Sequence, residues 1–232
     1  MTEVNLPKFK DEQLLQTALT HRSALNEHHL EKTESNERLE YLGDAVLELV
    51  TTEFLYRQLP TAPEGKMTAI RSALVKTTML STVGQQLNLG EKLFLSKGEE
   101  LSGGRANVTL IADTVEAVIG ALYLDQGMTA AKKFIQEMIL AHFDEVMEKR
   151  LYRDAKSSLQ EEVQAHGFEA PIYQVLHEEG PDHDKTFLVA VFVGGQKVGE
   201  GEGKSKQNAQ QVAALQALDE VDFTRLQDRK EN

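Results

Sequence analysis

The sequence predicts an all-α N-terminal domain followed by a small α+β domain with the element order α-β-β-β-α. Apolar residues recur at helical spacing through residues 1–150, where no segment alternates convincingly between apolar and polar side chains. Residues 172–199 instead contain β-branched segments joined by Gly194-Gly195, a pair typical of a hairpin turn. The charged stretch around Glu148 to Asp154 marks the boundary between the two domains.

Apolar stripes and end signals define the helices of the first domain. The predicted helices are one through Leu14, Leu15, Ala18 and Leu19, then Glu37 to about Tyr56, Met67–Val75, Thr77–Leu87, Val108–Leu124 and Thr129–Met147. The polar segment Asn26 to Asn36 is expected to be a loop, with Ser35 or Asn36 capping the helix that follows. Gly90 is expected to stop the Thr77 helix, and Ser102-Gly103-Gly104 to form a break.

The second domain is expected to begin with a helix, Ala155 to His166, closed by Gly167 in the left-handed conformation. The other predicted elements are strands Ile172–Glu178, Lys185–Val193 and Gln196–Gly199, a strand end at Gly201 to Gly203, and a helix from Ser205 to about Leu218. The predicted organisation is a helical domain at 1–150, a linker at 151–155, the α+β domain at 156–222 and a charged tail, frayed or disordered, at 223–232.

Composition excludes several classes of protein. The 232 residues contain no cysteine, so a disulfide scaffold, a zinc-thiolate site and a thiol nucleophile are all ruled out. The amino terminus has no apolar signal segment and no apolar run is long enough to span a membrane, which predicts a cytoplasmic protein without a membrane partner. The net charge of -12 argues, at face value, against a nucleic-acid partner.

An acidic row lies on the helix that begins at Glu37. Glu37, Glu40, Asp44 and Glu48 are spaced by three, four and four residues, so they share one face. Like charges at this spacing destabilise a helix, and a solvated acidic face or a compensating cation would each account for them. Gly43, within the row, costs roughly 1 kcal/mol relative to alanine, and one use for it is the close approach of another helix.

A second acidic pair, Asp113 and Glu116, is predicted to lie on a buried helix. Asp113 and Glu116 are the only charges between Val108 and Leu122, and a helix that is apolar all round belongs inside a protein. Two carboxylates on such a helix must be protonated, paired or bound to metal. Arg71 or Lys76 would be the structural partners, while Glu40 and Asp44 on the earlier helix would complete a metal site.

Four carboxylates without histidine or cysteine form an all-oxygen ligand set, which suits Mg²⁺ or Mn²⁺. Their four negative charges would balance two divalent cations, and paired Mg²⁺ ions are a known solution for phosphodiester cleavage. A di-iron bundle would require Glu-x-x-His motifs, and neither acidic pair has a histidine at that spacing.

These residues resemble a known family. Glu37 to Leu47 (ERLEYLGDAVL) resembles the signature helix of ribonuclease III, and Asp113 to Ala117 (DTVEA) resembles its second acidic motif. Thr20-His21-Arg22-Ser23 also resembles a short stretch of that family, and the C-terminal part resembles a double-stranded RNA-binding domain. The likeness covers nearly the whole chain and implies an Mg²⁺-dependent endoribonuclease specific for double-stranded RNA.

The resemblance also implies an obligate homodimer whose two sites each hydrolyse one RNA strand with water as nucleophile. The products would carry 5′-phosphate and 3′-hydroxyl ends with short 3′ overhangs, and the substrates would be rRNA precursors and other structured RNAs. By motif position, the metal-binding carboxylates would be Glu40, Asp44, Asp113 and Glu116, of which Asp44 and Glu116 are assigned as catalytic. Glu116 would be indispensable, and Glu37 and Glu64 would be accessory acids.

Net charge does not exclude RNA if cations cluster. Residues 1–150 contain 16 basic and 22 acidic residues and residues 151–232 contain 9 and 15, so each part is net -6. Lys204, Ser205 and Lys206 nevertheless start the last helix, where ammonium groups, free N–H groups and the helix dipole together favour phosphate. Gln207 stands where many such domains have a third basic residue. By resemblance, Gln160, Glu161 and His183 would contact the minor groove.

Three other functions are less consistent with the sequence. A nucleotide-binding P-loop at Gly203-Lys204-Ser205 would need glycine at Val198, so no nucleotide cofactor is expected. A non-catalytic double-stranded RNA-binding protein would not need carboxylates that face phosphates. A structural all-α oligomerisation module would leave Asp113, Glu116 and the lysines of the last helix unexplained.

Overall fold

The structure, a computed structural model, has two compact units, Met1–Tyr152 and Arg153–Asn232, each with its own hydrophobic core. The predicted combination of an all-α part and an α-β-β-β-α part is confirmed. None of the described helices is long and apolar enough to cross a membrane. The residues that the structure describes are 6–28, 35–152, 154–181 and 185–223.

Helices make up the first unit, and the longest pair forms its centre. The α-helices are α1 (Glu12–Ala18), α2 (Ala24–His28), α3 (Glu37–Gln58), α4 (Glu64–Val75), α5 (Thr77–Gln86), α6 (Leu89–Lys92), α7 (Lys97–Leu101), α8 (Val108–Gln126), α9 (Met128–Met138) and α10 (Phe143–Glu148). Helix α8 is buried, as its apolar sequence predicts, and packs against α1, α3, α5 and α9. A single strand-like bridge, between Thr20 and Phe94, occurs in the described part of this unit.

Two predictions near the start of α3 are wrong. The loop expected from Asn26 to Asn36 begins as the end of α2, which extends to His28; residues 29–34 lie outside the described residues. Asn36 occupies the N-cap position of α3, but its backbone is already helical (φ -69°, ψ -14°) and its side chain makes no capping hydrogen bond. Capping requires an extended backbone at this residue. The Ser35 hydroxyl instead donates to the Glu37 carboxylate at 3.2 Å.

Two helix ends also differ from the prediction. Gly90 does not stop a helix but lies within α6; the chain turns earlier, at Asn88, which has the left-handed φ of 53°. The amphipathic helix expected over Thr129–Met147 is interrupted after Met138 by a 3-10 turn at Leu140–His142. The interruption places two neighbouring residues, Ile139 and Leu140, in the core, and helical periodicity alone does not reveal such a break.

The backbones of α3 and α8 touch at two glycines. A Cβ added to Gly43 would overlap the carbonyl oxygen of Glu116 and would lie 2.9 Å from the Gly120 nitrogen. A Cβ added to Gly120 would overlap the carbonyl oxygen of Leu39. The expected use of Gly43, close approach of another helix, is therefore confirmed. This contact brings the acidic stretches of α3 and α8 together.

The second unit is an antiparallel sheet covered by helices. Its elements are α11 (Ala155–Ala165), β1 (Ile172–Glu179), β2 (Thr186–Val193), β3 (Gln196–Gly203) and α12 (Lys206–Glu220), with strand order β1-β2-β3. Helix α12 packs on β2 and β3, and α11 packs on α12. Gly167, with φ 73°, closes α11 as predicted, and Gly194 and Gly195, with φ 57° and 81°, form the expected turn between β2 and β3.

Strand β3 extends beyond the predicted segment Gln196–Gly199 and ends at Gly203. It continues to Gly203 because Gly199, Gly201 and Gly203 all face α12, where a Cβ would meet backbone atoms of the helix. The helix presents Ala209, Ala213 and Ala217 to this strand. The glycines therefore permit close helix packing along the strand, and the predicted strand end at Gly201 to Gly203 is confirmed.

Candidate functional site

Three carboxylates meet where α3 crosses α8. Glu40 on α3 and Asp113 and Glu116 on α8 each offer one carboxylate oxygen, and these three oxygens lie within 4.8 Å of one another. All three side chains are partly buried. This acidic cluster (Glu40, Asp113 and Glu116) has the all-oxygen composition that suits a hard divalent cation.

The negative charges of the acidic cluster repel one another. Burial, reinforced by the negative charges of Asp44, Asp113 and Glu40, raises the pKa of Glu116 to about 8. Burial followed by the charge of Asp113 raises the pKa of Glu40, and burial raises that of Asp113. The cluster therefore favours either protonation or a bound cation.

A structural counter-ion does not relieve this repulsion. Within the described residues, no member of the acidic cluster forms a salt bridge. Arg71, one of the two partners considered from the sequence, instead pairs with Glu48 through Nε at 2.8 Å and donates to Thr52. Lys76, the other, is exposed and makes no salt bridge with the cluster. The interpretation of Asp113 and Glu116 as half of a structural ion pair with Arg71 or Lys76 is therefore wrong.

The rest of the acidic row on α3 has several roles. Glu37 pairs with Arg22 at 3.4 Å, and Glu48 pairs with Arg71, so cations compensate both ends of the row. Asp44 is exposed and is not part of the three-carboxylate group, but its charge contributes to the raised pKa of Glu116. Glu64 is exposed in the first turn of α4 and lines a separate pocket.

His21 is a neighbour of the acidic cluster to which sequence reasoning assigned no role. Its Nδ1 accepts from the backbone N–H of Ser23 at 3.3 Å and lies 2.9 Å from the Ser23 hydroxyl. Burial lowers the pKa of His21 despite the opposing charges of Glu99, Glu37 and Asp113. The sequence contains one indication that His21 matters, because it lies in the stretch Thr20-His21-Arg22-Ser23 that resembles the family. Its position beside the acidic cluster could not be inferred, because it depends on pairing with Phe94, which is distant in the sequence.

In the second unit, a different surface carries the predicted RNA contacts. Gln160 and Glu161 are exposed on α11, and Lys204 is exposed just before α12; His183 lies outside the described residues. Ser205 is the N-cap of α12, and its hydroxyl accepts the N–H of Asn208 at 3.1 Å. The Lys206 ammonium lies 3.3 Å from Glu178 and 5.5 Å from the centre of the Phe187 ring.

Comparisons with known proteins agree with this architecture. Residues 11–143 match the "Ribonuclease-III-like" family model, and residues 155–221 match the "Double-stranded RNA binding motif". Ribonuclease 3 of Enterococcus faecalis is 45% identical over 213 residues, which is 92% of both chains. Ribonuclease 3 of Geobacillus sp. (strain WCH70) is 46% identical over 213 residues, 92% of this chain and 86% of the relative.

A solved structure resembles the helical unit. The nuclease domain of ribonuclease III from Campylobacter jejuni, described for flexibility in a region involved in dimer formation, superimposes with a TM-score of 0.54 and 39% identity. The match covers 59% of this chain and 92% of that one. With both parts of the chain matched and relatives aligned over nine-tenths of its length, the protein belongs to the ribonuclease III family and is an endoribonuclease specific for double-stranded RNA.

Proposed function

We propose that Glu40, Asp44, Asp113 and Glu116 bind two Mg²⁺ ions, which Mn²⁺ can replace, and that this centre hydrolyses the RNA. The observation that carries this proposal is the acidic cluster itself: three partly buried carboxylates within 4.8 Å of one another, without a counter-ion among the described residues. A divalent cation would relieve the repulsion that raises the pKa of Glu116.

The bound Mg²⁺ ions would supply activation of water and stabilisation of charge on the attacking and leaving oxygens. The protein's own contribution is to hold the ligands in position. Gly43 fixes the distance between the two helices, and Arg22 and Arg71 neutralise Glu37 and Glu48 at either side. Water would be the nucleophile, leaving 5′-phosphate and 3′-hydroxyl ends with a short 3′ overhang. Glu37 and Glu64 remain proposed accessory acids.

The second unit would present the duplex to this centre. Lys204, Ser205 and Lys206 would bind phosphates, while Gln160, Glu161 and His183 would contact the minor groove, so recognition would follow duplex shape. The proposed division is catalysis and dimerisation in residues 1–150, a linker at 151–155, RNA binding at 156–222 and a tail at 223–232. Processing of rRNA precursors and other structured RNAs would take place in the cytoplasm. The lack of cysteine is compatible with that reducing compartment.

A long perfect RNA duplex tests the proposed cleavage. With Mg²⁺ the protein should reduce it to short duplexes with 5′-phosphates, and single-stranded RNA of the same sequence should survive. Magnesium alone should also raise the melting temperature of the protein, since the folded acidic cluster binds the ion and the unfolded chain does not. Duplex binding without any cleavage in Mg²⁺ or Mn²⁺ would favour the non-catalytic alternative.

The outer face of α3 supports the proposed homodimer. Tyr41, Leu49 and Tyr56 lie on this face, and 82%, 59% and 72% of their surfaces are exposed. Such a row of large apolar side chains is typical of an interaction surface. We expect a dimer at micromolar concentration by sedimentation equilibrium, and Leu49→Lys should shift it towards monomer because a charge would be buried at the interface. A stable wild-type monomer would contradict the two-site arrangement.

A further inference from the structure

The carboxylate of Glu178 is shared by two lysines at the edge of the RNA-binding unit. Its Oε1 lies 3.3 Å from the Lys206 ammonium, and its Oε2 lies 3.6 Å from the Lys185 ammonium. Lys206 belongs to the proposed phosphate-binding group. Lys185, immediately before β2, has no assigned role.

The register of the sheet explains why these residues meet. Glu178 on β1 pairs with Phe187 on β2, and Phe187 pairs with Gly203 on β3. The last of these three paired residues, Gly203, lies just before the start of α12, and the Lys206 ammonium also lies over the Phe187 ring. Lys185 and Lys206, which are 21 positions apart in the sequence, are thereby brought to one carboxylate.

This arrangement does little for the stability of the fold. The side chains of Lys185, Glu178 and Lys206 are 36%, 40% and 55% exposed to solvent. Ion pairs that are this exposed contribute little to the stability of the fold. A phosphate of a duplex could therefore replace the carboxylate as the partner of either lysine. The polyanionic backbone favours that exchange through release of its counterions.

We propose that Lys185 is an additional phosphate-binding residue, and that Glu178 competes with RNA phosphates for Lys185 and Lys206. The inference rests on the proposed phosphate-binding role of Lys204 and Lys206. Lys185 provides a third cation near the start of α12, in addition to Lys204 and Lys206. Glu178 then sets how tightly the duplex is held, because every phosphate that reaches the two lysines must displace it.

Duplex binding as a function of salt tests this proposal. The protein with both units is titrated, in magnesium-free buffer with EDTA, against a perfect RNA duplex of about 16 base pairs, the span of one such domain. Removing one phosphate contact lowers the slope of log affinity against log salt by about 0.9, as measured for B-form duplexes. The loss of affinity between 50 and 200 mM salt should therefore be about 3.5-fold smaller in Lys185→Ala than in the wild type.

Two further variants complete the experiment. Glu178→Gln keeps the size of the side chain and removes its charge, so it should bind more tightly and with a steeper salt dependence. Lys197→Ala is the matched control, because Lys197 pairs with Glu200 at the opposite end of the sheet; its binding should equal that of the wild type. Lys185→Ala that behaves like this control, or Glu178→Gln that binds no more tightly than the wild type, would overturn the proposal.

The double variant Lys204→Ala/Lys206→Ala separates this inference from the function on which it rests. If that variant weakens binding and flattens the salt dependence while Lys185→Ala does not, the phosphate site stands and the role of Lys185 is wrong. If the double variant binds like the wild type, the phosphate site itself is wrong, and the role proposed for Lys185 is wrong with it.

Discussion

Glu116→Gln should lower the rate of duplex cleavage on the order of 10³-fold or more while leaving duplex binding unchanged. Glu116 is the most perturbed member of the acidic cluster, since burial and four neighbouring carboxylates raise its pKa to about 8. Glutamine has the same shape but lacks the charge that would hold a cation. Single-turnover cleavage in Mg²⁺ and duplex binding in EDTA measure the two effects separately. Cleavage at the wild-type rate would contradict the assignment of Glu116.

The same variant should be more stable than the wild type when metal is absent. The ordinary pKa of a glutamate side chain is 4.5, whereas the pKa of Glu116 in the folded protein is about 8. Between these values the folded state keeps a proton that the unfolded state has released, so the stability of the wild type falls as the pH rises through this range. Glutamine does not ionise. Thermal melts in EDTA should therefore show a stability difference that grows from about pH 5 to about pH 8.

Gly43→Ala should destabilise the helical unit by about 3 kcal/mol or more, or prevent its folding. The added methyl group would overlap the carbonyl oxygen of Glu116 and would lie 2.6 Å from its carbonyl carbon. Both are backbone atoms, so α3 and α8 must move apart for the methyl group to fit. Any protein that folds should have lost cleavage as well, because the separation would also move Glu40 away from Glu116. Urea unfolding measures the first effect.

Gly65→Ala is the matched control. Gly65 is also in a helix, α4, but a Cβ there would meet nothing within 4 Å. Alanine should raise stability by up to ~1 kcal/mol through its better helix propensity. If Gly43→Ala were as stable and as active as Gly65→Ala, the close contact between α3 and α8 would not be needed to form the site.

The meeting of the two acidic helices could be predicted from the sequence. Asp113 and Glu116 are isolated charges in an apolar helix, and Gly43 lies within the row of acids on α3. These local patterns are sufficient to predict that α3 and α8 pack against each other. The position of His21 could not be predicted in this way, because it depends on hydrogen bonds between residues 19–21 and Phe94. The break after Met138 was missed for a similar reason: burial of Ile139 and Leu140 by tertiary contacts overrides an uninterrupted helical pattern.

The distinction between Asp44 and the other three acids also could not be predicted from the sequence. Spacing places Asp44 one turn after Glu40 on the same face of α3. In the structure Asp44 is exposed, whereas Glu40 is partly buried and belongs to the acidic cluster. Helical periodicity identifies a face but does not determine which side chains on it converge.

The Gly43 contact can form only after both α3 and α8 have been synthesised. The ribosome completes α3 long before it reaches Asp113 and Glu116, and Glu40 alone is not a site. A growing or truncated chain that has not docked α8 against α3 therefore has no hydrolytic centre, even though much of its sequence is already present. Activity is thus conditional on finished folding, and this would protect the structured RNAs of the translating ribosome from an incomplete nuclease.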